Sequence, residues 1–143
     1  GEVKQDAYSI GYVELIYAIQ NKLGYGDVKN KAGKFVTPSL EGVTASAAAK
    51  ADSVPEDLRV SIVNADGDSV YPISTFTWVL IYAKQTDKAK ATAMTRLLWW
   101  ATHDGQKFSA DLGYAPLPAA IVTKDEAKIK AISVDGSMAF PGK

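Results

Sequence analysis

The sequence of 143 residues contains no cysteine and a single histidine, His103. Without cysteine the chain has no disulfide, no thiol nucleophile and no cysteine-ligated metal. One histidine excludes a histidine-rich metal site and argues against a Ser/His/Asp triad. No apolar run approaches the roughly 18 residues that a membrane-spanning helix needs. Together these absences argue against a metal centre, a covalent catalytic centre and a membrane span.

The chain also has no net charge, because 16 lysines and arginines balance 16 aspartates and glutamates. No run of basic residues could follow a phosphate backbone, so nucleic acid is not expected as a partner. The composition, 47% hydrophobic and 22% charged, is that of a globular domain with a core of useful size. The sequence begins at Gly1 without an initiator methionine or a leader, so we expect a processed or truncated piece without its export signal.

Three stretches predict β-strands. Residues 9–13 form a short β-favouring run, which we expect to be a buried strand. Residues 59–63 alternate polar and apolar side chains, as a half-buried strand does. Residues 71–83 are rich in β-branched and aromatic side chains, and their apolar part, 78–82, predicts a strand buried on both faces.

Helices and turns are predicted between these strands. A hairpin is expected over residues 28–36, where Gly33 permits a positive φ. Thr37 followed by Pro38 is typical of a helix start. The spacing of apolar residues predicts helices over residues 15–23, 38–51, 87–102 and 106–112, and a last helix beginning near Pro118. Strands that alternate with helices indicate the α/β class.

A few side chains could carry chemistry. His103 lies at a predicted helix end beside Asp104, which would suit either a general base or a donor to the last helix carbonyls. No Ser or Cys nucleophile elbow accompanies it, which favours the second interpretation. Of Trp99 and Trp100, one ring is expected in the core and the other partly exposed, rather than stacked on a ligand.

Paired acids are predicted near two helix N-termini, where the backbone dipole stabilises negative charge. They are Asp125 with Glu126, and Glu56 with Asp57. Neither pair needs a catalytic role.

Three spaced motifs carry a resemblance to a known family. Residues 9–14 read SIGYVE, residues 71–75 read YPIST and residues 112–118 read LGYAPLP. Shorter matches lie between them in the same order: QNKL at 20–23, KNKAGK at 29–34 and PSLE at 38–41. By these motifs the chain resembles the C-terminal half of the periplasmic solute-binding protein of ABC-type phosphate importers. One departure is Ala7-Tyr8, where relatives usually have Pro-Gly.

The resemblance implies the type II periplasmic-binding-protein fold, an α/β architecture of two lobes joined by crossover strands, with only its C-terminal half present. Residues 1–70 would belong to the second, inserted lobe. Residues 71–143 would form a crossover strand and the C-terminal part of the first lobe. Ser74 and Thr75 would precede the buried part of the crossover strand, so we predict that they face the cleft. A hydroxyl satisfied within the strand is the alternative interpretation.

The resemblance also implies a function. The chain would be part of an extracytoplasmic receptor, periplasmic or extracellular, that captures inorganic phosphate and delivers it to an ABC permease. It would not be an enzyme and would need no cofactor and no metal. The family draws its phosphate ligands from the first half of its chain, so no ligand can be assigned to a residue of this sequence. The alternative is a structural, truncated or split half-protein that binds no ligand of its own.

Missing strands have a physical consequence. A sheet that lacks neighbours exposes apolar side chains and leaves backbone groups without partners. We therefore predict that the chain does not fold alone as a compact monomer. It should pair with the N-terminal segment of the same protein or with a swapped copy of itself.

Overall fold

The computed structural model describes residues 1–142. Five α-helices, three short 3-10 helices and five two-residue strands make up its regular structure. The α-helices are α1 (Glu2–Gln5), α2 (Leu15–Gln20), α3 (Leu40–Ala48), α4 (Lys88–Thr102) and α5 (Ala119–Ala131). The strands are β1 (Val28–Lys29), β2 (Phe35–Val36), β3 (Lys84–Gln85), β4 (Ser133–Val134) and β5 (Ser137–Met138). The 3-10 helices cover Ala51–Ser53, Asp104–Phe108 and Ala110–Leu112.

The predicted hairpin is present. β1 and β2 pair antiparallel, with Val28 opposite Val36. Gly33 has a φ of 80° in the turn, a conformation that costs glycine little. The Asn30 side chain holds this turn against a distant loop, because Nδ2 lies 2.9 Å from the Asp68 carbonyl oxygen and 3.1 Å from that of Val70.

α3 begins at Leu40, later than the predicted start. The capping hydroxyl is that of Ser39, whose Oγ accepts a hydrogen bond of 3.0 Å from the Gly42 amide. The Thr37 hydroxyl instead donates to Asp27 Oδ1 at 2.6 Å. The helix ends at Ala48, and a 3-10 turn follows at Ala51–Ser53.

The C-terminal part of the chain has its own small core. α4 begins after Asp87, whose carboxylate accepts from the Lys90 amide at 3.0 Å. β3 and β4 pair parallel, while β4 and β5 pair antiparallel. The four buried residues of this core come from α4, from β4 and from the positions just before β4 and just after β5: Ala91, Val134, Ile132 and Ala139. The predicted α4 and α5 are therefore confirmed, and each packs one apolar face inward.

Gly113, in the motif LGYAPLP, allows α2 to pack closely against the segment that carries this motif. Its φ is 78°, and a Cβ placed on it would lie 2.6 Å from Ile16 Cβ. Any other residue would therefore clash with α2 as well as strain the backbone.

All three predicted strands are absent as strands, which corrects the sequence-based expectation. Residues 9–13, 59–63 and 71–83 are extended or irregular. The expected burial is also wrong for two of them, since Ile10 is 97% and Leu80 is 95% exposed. A strand needs a neighbour that pairs with it residue after residue, and within residues 1–142 these segments join no such ladder; segment 71–83 makes only isolated backbone hydrogen bonds near its two ends, at Tyr71, Pro72 and Ala83.

The architecture is a mixed α/β fold with two small sheets, one of two strands and one of three. Within the described residues, no helix is both long enough and apolar enough to cross a bilayer.

Candidate functional site

The dominant concave feature is one open groove with a volume of about 2220 Å³. Residues 9–18 line one side of it and residues 73–81 line another. α3 and α5 complete the walls with Val43, Ile121 and Ile129 among other side chains. We call this space the central groove. Its walls are mainly apolar, and the two unpaired extended segments both face it.

The two segments offer open backbone groups. The main chain of residues 10–13 and of residues 77–81 makes no hydrogen bond to any other described residue. Both carry large exposed apolar side chains, including Tyr12, Val79 and Leu80. Extended backbone with free N–H and C=O groups is what a neighbouring strand pairs with. The groove is therefore a place where additional strands could be added.

The predicted cleft residues Ser74 and Thr75 both line the central groove. Ser74 is buried, and its hydroxyl donates to the Tyr71 carbonyl oxygen at 2.8 Å. The Ser46 hydroxyl, fully buried on α3, lies 3.3 Å from Ser74 Oγ and 2.8 Å from the Gly42 carbonyl oxygen. This hydroxyl pair fixes the turn at 71–74 to α3. Thr75 is exposed.

Asp125 stands out on the wall formed by α5. It lies in the middle of that helix, which begins at Ala119, so the prediction of a helix N-terminal position for it is wrong. Ile121, Ile129 and Ile132, all buried, precede or follow it at helical spacing. Burial raises the pKa of the Asp125 carboxyl, and no described residue forms a hydrogen bond or ion pair with it. The four-residue spacing from Ile121 and to Ile129 could have revealed this position in the sequence.

His103 lies outside the groove lining, at the end of α4. Its Nδ1 is 2.8 Å from the Trp99 carbonyl oxygen, which is the helix-end contact that was predicted. Its Nε2 is 3.2 Å from Glu126 Oε1, so Glu126 and not Asp104 is the carboxylate partner. Hydrogen bonds from Lys130 and His103 lower the pKa of Glu126.

Trp100 is partly exposed, as predicted for one of the two adjacent tryptophans, whereas Trp99 is partly buried and not a member of the buried core. The Trp99 ring stacks on His103, with centroids 4.3 Å apart, and on Phe140 at 4.5 Å. Trp100 is 47% exposed and lies 6.1 Å from the Phe108 ring. Neither tryptophan lines the central groove.

Neither a metal centre nor an arginine site is formed by the described part of the chain. Residues 1–142 contain no cluster of three or more metal-ligating side chains. Arg59 pairs with Asp57, with Nη2 2.7 Å from Oδ2, and Arg96 lies on the exposed side of α4, away from the groove.

Comparison with known proteins gives a consistent result. No protein-family model matches the sequence. Curated relatives do match, and all three described here are named phosphate-binding protein PstS. That of Xylella fastidiosa is 38% identical over 125 residues, which is 87% of this chain and 34% of the relative. That of Pasteurella multocida is 36% identical over 129 residues, 90% of this chain and 37% of the relative.

An archaeal relative extends the pattern. The protein of Methanocaldococcus jannaschii is 37% identical over 139 residues, covering 89% of this chain and 34% of the relative. The chain thus spans about a third of the length of the relatives it matches. The resemblance predicted from the motifs is confirmed: along most of its length this chain is similar to a part of the PstS phosphate-binding proteins.

Proposed function

We propose that the chain is one part of an extracytoplasmic phosphate receptor that captures inorganic phosphate and hands it to an ABC permease. The observation that carries this proposal is the similarity to PstS proteins over 87% of the chain. The receptor would work in the periplasm or at the outer cell surface. It would bind and release its ligand without chemical change, so the chain would not be an enzyme.

The central groove supports the proposal that this chain is only one part of a receptor. The matched relatives are about three times as long as the segment they share with this chain. The groove exposes apolar side chains and open backbone at residues 10–13 and 77–81, which further polypeptide could cover. In this proposal the remaining polypeptide adds strands beside both segments. Residues 1–70 then belong to the second lobe, and residues 71–143 form a crossover strand and part of the first lobe of a type II fold.

The phosphate ligands would come mainly from that remaining polypeptide. A phosphate site needs clustered backbone N–H groups, hydroxyls and a guanidinium. Arg59 forms an ion pair with Asp57, and Arg96 lies away from the groove. Both observations support a phosphate-binding guanidinium contributed by the remaining polypeptide. Ser74 and Thr75 are proposed to lie near the cleft, and the Thr75 hydroxyl is the more accessible of the two. Closure of the lobes would remove water from the anion and strengthen each fixed dipole around it.

Phosphate titration of two samples tests the proposal. The first is this chain alone, and the second is this chain joined to the remaining two thirds of the Xylella fastidiosa relative. We expect phosphate binding, with sulfate as the control anion, only in the joined protein. Binding by the chain alone would contradict the assignment of the ligands to other polypeptide. A joined protein that folds but binds no phosphate would favour the alternative, a structural half-protein without a ligand of its own.

A further inference from the structure

Asp125 is a charged residue in an apolar stripe. The side chains of α5 that line the groove include Ile121, Asp125, Lys128 and Ile129, and Ile132 follows just beyond the helix end. Ile121, Asp125 and Ile129 follow one another at four-residue spacing, so Asp125 lies between two isoleucines on one face of the helix. The three isoleucines are buried, while the Asp125 carboxyl is half-buried and still reaches water through the open groove. A fully buried carboxylate is rare unless it is paired, and closure of the groove would bury this one.

The two lysines nearest to Asp125 along the helix contact other groups. Lys124 donates from Nζ to the Val54 carbonyl oxygen at 3.0 Å. Lys128 Nζ lies 3.4 Å from Glu56 Oε1. Neither lysine, nor any further residue of the described chain, forms a hydrogen bond or an ion pair with the Asp125 carboxylate. Within residues 1–142 the charge is therefore uncompensated.

Covering the groove would change the environment of this group. Polypeptide packed on residues 10–13 and 77–81 would also close the space in front of α5, since all three line the same groove. Water could then no longer solvate the carboxylate. A buried charge without a partner costs several kcal/mol, whereas a cation in hydrogen-bond contact offsets most of that cost.

From these contacts we infer that the polypeptide filling the central groove places an arginine or lysine side chain against the Asp125 carboxylate. The inference rests on the proposed function, because it takes the occupant to be the part of a phosphate-binding protein that lies outside the matched segment. The relatives are long enough to contain such polypeptide. Because the Asp125 carboxylate is negative and unpaired, the side chain that meets it should be positively charged. Asp125 is thus a docking residue between two parts of the receptor.

Association of two separate polypeptides tests the inference. This chain would be co-folded with a second polypeptide, the remaining two thirds of the Xylella fastidiosa relative. Asp125→Asn keeps the shape of the side chain and removes its charge. We expect it to lower the association constant by at least about 100-fold, the scale of a broken buried charge pair. Asp111→Asn, an exposed carboxylate on a 3-10 helix, is the matched control and should leave association unchanged.

Two further measurements separate docking from a purely structural role. In the chain alone, Asp125→Leu should leave hydrogen exchange in α5 unchanged or slower, because it removes a lone charge from an apolar stripe. In the two-piece protein, Asp125→Lys should block association, and one Arg→Asp or Lys→Asp change in the second polypeptide should restore it.

Three results would overturn the inference. The first is an association constant unchanged by Asp125→Asn in a complex that still binds phosphate, which would leave the proposed function intact. The second is faster exchange of α5 in the isolated Asp125→Leu chain. The third is that the unsubstituted chain does not associate with the second polypeptide, or associates only with a second copy of itself. This third result would also contradict the proposed function.

Discussion

His103 connects the end of α4 to the middle of α5 through Glu126, with Nε2 3.2 Å from Oε1. The same ring stacks on Trp99 and approaches that residue's carbonyl oxygen with its other nitrogen. One side chain therefore ties two helices and the aromatic cluster together. We predict that His103→Ala speeds hydrogen exchange of α4 and α5 on the order of tenfold, because a charge-assisted hydrogen bond and a ring contact are lost. Exchange measured peptide by peptide, with mass spectrometry, checks this.

The matched control for that prediction is a double substitution. If the two side chains act as a pair, His103→Ala with Glu126→Gln should cost less than the sum of the single changes. Strict additivity would mean that the two groups do not interact in solution.

The packing of α4 on α5 should weaken in acid. Lys130 and then His103, by hydrogen bonding, hold the pKa of Glu126 below its ordinary value of 4.5. A carboxyl whose pKa is lowered in the folded state contributes stability that is present above its ordinary pKa. That contribution is lost as the pH falls from about 4.5 through the lower folded value. The protection of α5 amides, expressed relative to the intrinsic exchange rate at each pH, should fall across this range in the native chain and change less in Glu126→Gln.

Asn30 should be the main support of the loop at residues 64–70. It is buried, and its Nδ2 lies within 3.2 Å of the carbonyl oxygens of Gly67, Asp68 and Val70. We predict that Asn30→Ala destabilises this loop by about 2–3 kcal/mol, since one buried carbonyl, that of Val70, and two partly buried ones lose their donor. Limited proteolysis should then cut within residues 64–70. Asn21→Ala, which removes one exposed hydrogen bond, is the control and should leave the cleavage rate as it is.

Substitutions at Ser74 and at Thr75 should distinguish a structural hydroxyl from one that lies near the phosphate. Ser74→Ala removes a buried hydroxyl shared with Ser46, so we expect a loss of about 1 kcal/mol in stability of the turn. Thr75→Ala removes an exposed hydroxyl and should change stability by less than about 0.5 kcal/mol. If Thr75 faces the cleft, its replacement should weaken phosphate binding in the joined protein. Equal affinity for native and Thr75→Ala proteins would contradict the cleft assignment.

Local signals in the sequence predicted α2 to α5 and the hairpin, whereas the helix predicted over residues 106–112 is formed as two 3-10 helices and α1 was not predicted. The spacing of apolar residues in α4 and the turn glycine Gly33 depend on neighbours a few residues away, which the sequence displays directly. The segments 9–13 and 71–83 failed as strands because a strand is completed by a partner that can lie anywhere in a chain. The assignment of Asp125 to a helix N-terminus did not follow from the helix predicted to begin near Pro118, because a start there already places Asp125 in the second turn; α5 begins at Ala119, so the helix start was predicted correctly and the assignment of Asp125 was wrong.

The exposed segment around Leu80 should govern how the chain behaves alone. Leu80 is 95% exposed in extended backbone without hydrogen-bond partners, the combination that promotes edge-to-edge association. We predict that the isolated chain self-associates at micromolar concentration and that Leu80→Lys reduces this association, because a charge opposes strand pairing. Leu97→Lys, an exposed leucine on α4, is the control and should have little effect, since its backbone is already hydrogen-bonded within the helix. Sedimentation velocity measures the outcome, and a native monomer with a sharp cooperative melt would refute the prediction.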